Sequence, residues 1–232
     1  MALKQVMAVI GTRPDAIKMA PVILALRDDP HFQVRVIATG QHREMLDQVL
    51  QLFRIVPDED LQVMTPRQTL AQITTRALEG LDQVLQRYRP DVVLAQGDTT
   101  TTFVAALAAF YHQIPFGHVE AGLRTYNKYH PFPEEINRRL TAPIADFHFA
   151  PTERARQNLL REAIPGERIW VTGNTGIDAV LWVAQQPFEP QAPCLKRFFA
   201  HTGRTLLITT HRRENWGEPM EGIALAVRDL LD

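Results

Sequence analysis

The chain has 232 residues, 45% hydrophobic and 22% charged, a balance that fits a globular protein of one large domain or one domain plus part of another. Its 25 Lys+Arg against 26 Asp+Glu leave a net charge of -1, with no long block of one sign. A global pull toward nucleic acid or a membrane surface is therefore not supported. The single cysteine, Cys194, excludes an internal disulfide and a multi-thiolate zinc site by count, and is expected as a half-buried small residue near a linker.

In chain order, the pattern alternates short β-branched runs with longer amphipathic ones. A strand is expected over 5–10, ending at Gly11-Thr12-Arg13-Pro14, and a helix over 16–27. The opening run has no small-residue cleavage site after it, so it does not read as a secretory signal, and the cytoplasm is the expected compartment. A strand over 33–39 precedes a helix over 43–53, and a longer helix follows over 69–88. The next pairs are strand 92–96 with helix 101–112, strand 116–119 with helix 134–145, and strand 147–150 with helix 153–162. A strand over 169–171 and a helix over 175–184 complete the series. The longest apolar stretch, 103–111, falls well short of the ~20 residues needed to span a bilayer and reads as a buried helix.

The alternation implies an α/β fold, a Rossmann-like parallel sheet with helices on both faces. The strands read as continuous apolar runs, as expected when helices cover both sides. This first domain is expected over 1–184. Pro187, Pro190 and Pro193 then break the periodicity, so 185–196 reads as a Pro-rich linker. Beyond it come a strand over 205–210, a polar turn and a helix over 220–231. One strand and one helix cannot bury a core of their own. Residues 197–232 are thus expected to open an incomplete second α/β domain.

In an open parallel sheet, ligands bind beyond the carboxyl ends of the strands. The unusual polar residues fall at those ends: Arg13 and Asp15, then Gln41-His42-Arg43-Glu44, Gly97-Asp98-Thr99, Glu120 to Thr125, Gly173-Asn174, and His211-Arg212-Arg213-Glu214-Asn215. Arginines, histidines and carboxylates among glycines along one rim suit a sugar linked to phosphate. Dinucleotide binding is disfavoured, because the first turn lacks Gly-x-Gly-x-x-Gly and the second strand ends in Thr39-Gly40 rather than an acid. His118-x-Glu120 matches half of a zinc-deaminase motif, but no Pro-Cys-x-x-Cys follows it, so no metal site is assigned. Plainer readings exist for single residues. Asp98 could be a helix N-cap, and Glu134 and Glu135 follow Pro133 at a helix start where the dipole favours carboxylates. Glu120, between a buried strand and a glycine turn, has no capping geometry to explain it.

The run Gly11-Thr12-Arg13-Pro14-Asp15-Ala16-Ile17-Lys18-Met19-Ala20-Pro21 resembles the opening signature of the non-hydrolysing UDP-N-acetylglucosamine 2-epimerases. Similar family segments follow in order: Gln41 to Leu46, Gly97 to Thr101, His118 to Thr125, Pro133 to Arg138, Thr172 to Thr175 and His211 to Asn215. Asp15 stands where the family more often has Glu. The resemblance implies two Rossmann-like domains in the GT-B arrangement, usually as a homodimer, with the second domain largely absent from this chain. It implies reversible conversion of UDP-GlcNAc to UDP-ManNAc by loss and re-addition of UDP, with no redox cofactor or metal, feeding envelope polysaccharide synthesis. Asp98, Glu120, Glu134 and His211 match the catalytic positions. Arg13, Lys18, Arg138, Asn174 and Arg212 are expected to bind substrate, and Gln41 and Arg67 a second, regulatory UDP-GlcNAc. The alternatives are a GT-B glycosyltransferase, a hydrolysing epimerase, or a truncated chain that folds without catalysing.

Overall fold

The computed structural model describes residues 3–40, 43–65, 67–210 and 217–231. Contacts group Met1–Gln186 into one compact unit and Pro187–Asp232 into another.

The first unit is built on strands β1 (Lys4–Ile10), β2 (Phe32–Ala38), β3 (Glu59–Asp60), β4 (Val92–Gln96), β5 (Phe116–Val119), β6 (Phe147–Ala150) and β7 (Ile169–Val171). They form one sheet in the order β3-β2-β1-β4-β5-β6-β7, and every pairing is parallel. Parallel neighbours need crossover connections, which are supplied by α1 (Arg13–Asp28), α2 (Arg43–Leu52), α3 (Leu70–Tyr88), α4 (Thr100–Tyr111), α5 (Glu134–Ile144) and α6 (Glu153–Arg161). A last helix of this unit, α7 (Thr175–Ala184), follows β7 and packs on α1.

Two cores flank the sheet, and the side-chain alternation of β1 divides between them. Val6, Ala8 and Ile10 join α1, α2 and α7 on one face, while Met7 and Val9 join α3 and α4 on the other. Because both faces are buried, β1 shows no polar alternation over 6–10. The expected Rossmann-like parallel sheet is therefore present.

Most element positions agree with the sequence reading to within a few residues, and three features differ. Strand β3 was not expected: it is two acidic residues, Glu59 and Asp60, paired with Ile37 and Ala38 at the sheet edge. An edge strand this short has no hydrophobic pattern to reveal it. Helix α8 (Pro193–Ala200) lies partly within the expected linker, with Pro193 in its first turn. Proline is tolerated there, because the missing N–H has no intrahelical partner in any case. Finally, 205–210 forms no strand. Its Leu206, Leu207 and Ile208 are exposed, and a strand requires a neighbour to complete its N–H and C=O ladder. The helix expected over 220–231 is present as α9 (Glu218–Leu231). Within the second unit none of the described residues is buried, and Cys194 is exposed rather than half-buried.

Candidate active site at the switch point of the sheet

The chain order of the strands reverses between β1 and β4, which opens a crevice at their carboxyl ends. A cavity of about 520 Å³ lies there, lined by Thr12, Asp15, Lys18, Gln96, Asp98, Thr99, Glu120, Glu134 and Arg138 among others. Four carboxylates thus meet two cations in one depression.

Glu120 is the most constrained of them. It follows β5 with φ +65°, a left-handed conformation that costs energy for a residue with a side chain. Its Oε2 accepts from Lys18 Nζ at 2.6 Å and from Asn174 Nδ2 at 3.0 Å, and its Oε1 accepts from Gln96 Nε2 at 2.9 Å. The donors come from α1, from the residue capping α7, and from the last residue of β4. Three separate elements converge on one carboxylate.

Asp98 forms an ion pair with Arg138 of α5, and its backbone oxygen accepts from Asn137 Nδ2 at 3.0 Å. Asp98 is not the N-cap of α4. That position belongs to Thr99, whose hydroxyl accepts from Thr102 N. The capping explanation of Asp98 therefore fails, and its side chain is available to the cavity. Burial lowers the pKa of Arg138.

Glu134 and Glu135 begin the same helix and do different things. Glu135 is completely buried and accepts from the backbone N–H groups of Thr125 and Tyr126, each at 3.0 Å, which fixes the loop after β5. Glu134 instead lines the cavity.

Asp15 ties two turns together. Its Oδ2 accepts from Thr12 N at 3.1 Å and from Thr99 Oγ1 at 3.2 Å, joining the β1–α1 turn to the β4–α4 turn. Burial pushes its carboxyl up to about 6, against hydrogen bonds from Thr12, Thr99 and Gly11 that pull it down. Gly11 permits this close approach, since a Cβ there would stand 2.3 Å from Thr101 Oγ1. On β5, buried His118 meets Gly97 O through Nε2 at 2.7 Å. Burial holds it neutral, with a pKa lowered to about 3.

A family model described as UDP-N-acetylglucosamine 2-epimerase matches residues 24–232. The chain belongs to this family. A UDP-N-acetylglucosamine 2-epimerase of Salmonella typhimurium is 55% identical over 231 residues, covering 97% of this chain and 61% of the relative. A Neisseria meningitidis UDP-GlcNAc 2-epimerase solved with UDP-GlcNAc is 58% identical, with a TM-score of 0.74 over 77% of this chain and 49% of the other. S. aureus MnaA, solved with UDP, is 49% identical, with a TM-score of 0.85 over 99% of this chain and 60% of the other. The fold of the first unit is thus Rossmann-like, similar to part of the GT-B epimerases that it matches. The chain spans about three fifths of the length of the curated relatives it matches.

Of the site residues expected for an epimerase of this family, Asp98, Glu120, Glu134, Lys18 and Arg138 line the one cavity. Asn174 reaches it differently. Its Nδ2 is engaged by Glu120 and its Oδ1 by Gly176 N at 2.9 Å, so both ends of the amide serve the protein itself. Arg13 is exposed and borders a neighbouring, mostly apolar depression between α1, α2 and α7. Arg67 is exposed in the turn before α3, away from the cavity lining. Gln41, His211 and Arg212 lie outside the described residues. The sequence reading assigned no role to Gln96 or Thr99. Gln96 could have been noticed as the one polar side chain in the apolar run Val92–Gln96, and Thr99 as the residue before a helix whose third position donates to its hydroxyl.

Proposed function

We propose that this chain supplies the carboxylate-bearing part of a non-hydrolysing UDP-GlcNAc 2-epimerase, which interconverts UDP-GlcNAc and UDP-ManNAc. The observation that carries the reading is the gathering of Asp98, Glu120 and Glu134 around one cavity together with Lys18 and Arg138. Inverting C2 requires removal of a proton that is not acidic. Loss of UDP makes it accessible: the C1–O bond breaks with its electrons leaving on UDP, a carboxylate takes the C2 proton, and a C1=C2 glycal forms. UDP then adds back at C1 while a proton is delivered to the opposite face of C2. The chemistry needs acid/base groups on both faces of the ring and cations beside the diphosphate.

In this reading Asp98, Glu120 and Glu134 handle the protons, while His211 and Arg212 assist the diphosphate. Lys18, Arg138 and Arg13 supply positive charge, and Asn174 orients Glu120. Gln41 and Arg67 belong to a second, regulatory nucleotide-sugar site. The relatives solved with UDP-GlcNAc and with UDP support the substrate class. The proposed compartment is the cytoplasm, and the proposed assembly is the homodimer that the family resemblance implies. Among the described residues no helix is long and apolar enough to cross a membrane.

The test is proton NMR of UDP-GlcNAc incubated with the purified chain in D2O. Deuterium at C2 together with UDP-ManNAc is the expected result, and Asp98→Asn should abolish both. Free ManNAc plus UDP would instead assign the hydrolysing branch. No exchange from a folded sample would make this chain a non-catalytic portion of the enzyme.

A further inference from the structure

The two oxygens of Glu120 are not equivalent. Oε2 accepts from both Lys18 and Asn174, one of them cationic, so its accepting capacity is taken up. Among the described residues Oε1 accepts only from the neutral Gln96 amide, which leaves a lone pair open. The neighbour of Oε1 is Gly97, at φ +82°, where even a built Cβ would stand 4.0 Å away. No side chain from that position occupies the space in front of Oε1.

Gln96 itself is 2% exposed and ends β4, with the strand on one side and the cavity on the other. Its backbone oxygen accepts from Thr102 Oγ1 at 2.6 Å, so the strand end that carries it is anchored to α4. A carboxylate can only accept, so the end of the Gln96 amide that faces it is the nitrogen, and the orientation of the amide is fixed by its partner. Lys18 alone could hold Glu120 in several rotations about its terminal bond, because an ammonium donates in three directions. Asn174 adds a second donor on Oε2, and the Gln96 amide fixes where Oε1 lies.

We propose that Gln96 is a positioning residue. It fixes the rotation of the Glu120 carboxylate so that Oε1, and not Oε2, exchanges the proton with the substrate carbon. The proposal rests on the epimerase reading for its reaction and on the geometry of this carboxylate for its atom assignment. Gln96 touches no reacting atom and acts through Glu120.

The experiment uses the full chain with Gln96→Leu and Gln96→Glu. Gln96→Leu removes the donor but keeps an apolar side chain of similar size. It should lower kcat about 10- to 100-fold while leaving KM within about threefold, since oriented proton transfer is worth that much. Gln96→Glu sets two carboxylates side by side at neutral pH, and activity should fall at least as far as in Gln96→Leu. As the pH drops and one proton is shared, the new carboxyl donates to Oε1. The activity of Gln96→Glu relative to wild type at the same pH should then recover, while that of Gln96→Leu stays flat. A merely structural role predicts no such divergence. Wild-type kcat in Gln96→Leu, or parallel pH profiles for the two variants, would overturn the proposal.

A second readout does not depend on turnover. In chain labelled with 15N-glutamine, the side-chain amide signal of Gln96 should move and lose its protection from exchange in Glu120→Ala. An unmoved signal would sink the proposal whatever the kinetics. If the amide responds but wild-type chain turns over no UDP-GlcNAc, the epimerase reading fails for this chain, while Gln96 still holds the carboxylate.

Discussion

At the scale of single residues, adjacent glutamates at the start of α5 have opposite assignments, which can be separated by measurement. Glu135 is buried with two backbone N–H donors on its carboxylate. Replacing it by glutamine turns one acceptor into a donor facing a donor, so Glu135→Gln should lower stability by about 1.5–3 kcal/mol. Glu134→Gln should leave the denaturation midpoint nearly unchanged and lower kcat by about 100-fold or more. Equal losses of stability in the two variants would contradict the division of labour. Both carboxylates were legible as helix-start acids, but which one turns inward depends on the loop at Thr125 and Tyr126, ten and nine residues before Glu135.

Asp15 gives a prediction whose sign follows from its burial. Its pKa rises from 3.8 in the unfolded chain to about 6 in the folded one, so between these values the native state binds the extra proton. The corresponding stability is full below about pH 4 and is lost as the pH rises through 6, amounting to about 3 kcal/mol. Asp15→Asn keeps an acceptor for Thr12 N and Thr99 Oγ1 without the buried charge. It should match wild type at pH 4 and exceed it by about 1–3 kcal/mol at pH 8, as read by urea denaturation at both pH values. A variant less stable than wild type at pH 8 would show that the charged form is favoured in the folded protein.

At the scale of elements, the approach of the loop after β5 to α6 depends on a missing side chain. Gly122 has φ +86°, and a Cβ there would stand 2.3 Å from Ala155 O. Asn158 of α6 donates to Gly122 O at 2.9 Å and accepts from Tyr126 Oη at 2.8 Å, so the loop and the helix are clamped at two points. Neither the positive φ nor the backbone clash can be relieved by turning a side chain. Gly122→Ala should therefore cost about 3 kcal/mol or more, read by chemical denaturation. A loss below about 1 kcal/mol would mean that α6 moves away freely. The Glu-Ala-Gly turn was visible in the sequence, but its partner, Ala155, lies more than thirty residues further along, and only packing brings the two together. The other six strands and the first seven helices were legible for a related reason, because each strand is a short apolar run and each helix a longer segment set off from it. Strand β3 and the residues at 205–210 were not, since in both cases a neighbouring strand decides the outcome.

At the scale of the whole molecule, buried histidines set the acid limit. His118 and His148 are paired in register on β5 and β6 and are almost wholly buried. Burial lowers them from 6.5 to about 3 and about 4. Below pH 6.5 the unfolded chain gains protons that the folded one refuses, so stability is full above about 6.5 and falls as the pH drops toward 4. Between pH 7 and 5 each histidine removes about 2 kcal/mol, and Asp15 returns about 1 over the same interval. The net loss of about 3 kcal/mol is large beside a typical domain stability. His118→Gln, which retains a donor for Gly97 O, should flatten this acid limb by about 2 kcal/mol, measured as the difference in unfolding free energy between pH 7 and pH 5. An unchanged pH dependence would show that His118 is protonated in the folded state.

The sequence by itself determined the fold class, the order of the strands and helices along the chain, and the family. Those follow from local periodicity and from contiguous motifs that stay together whatever the chain does. It also marked Asp98 and Glu120 by their place at the ends of buried strands, and Glu134 through the family resemblance. Only the tertiary structure decided which side chains meet. Lys18, Gln96 and Asn174 are separated by about eighty residues at each step, yet all three donate to Glu120. Their convergence depends on β1 and β4 lying side by side and on α7 packing against α1. Strand neighbours are chosen by the burial of both sheet faces together, a property of the assembled layers that no single segment of the chain contains.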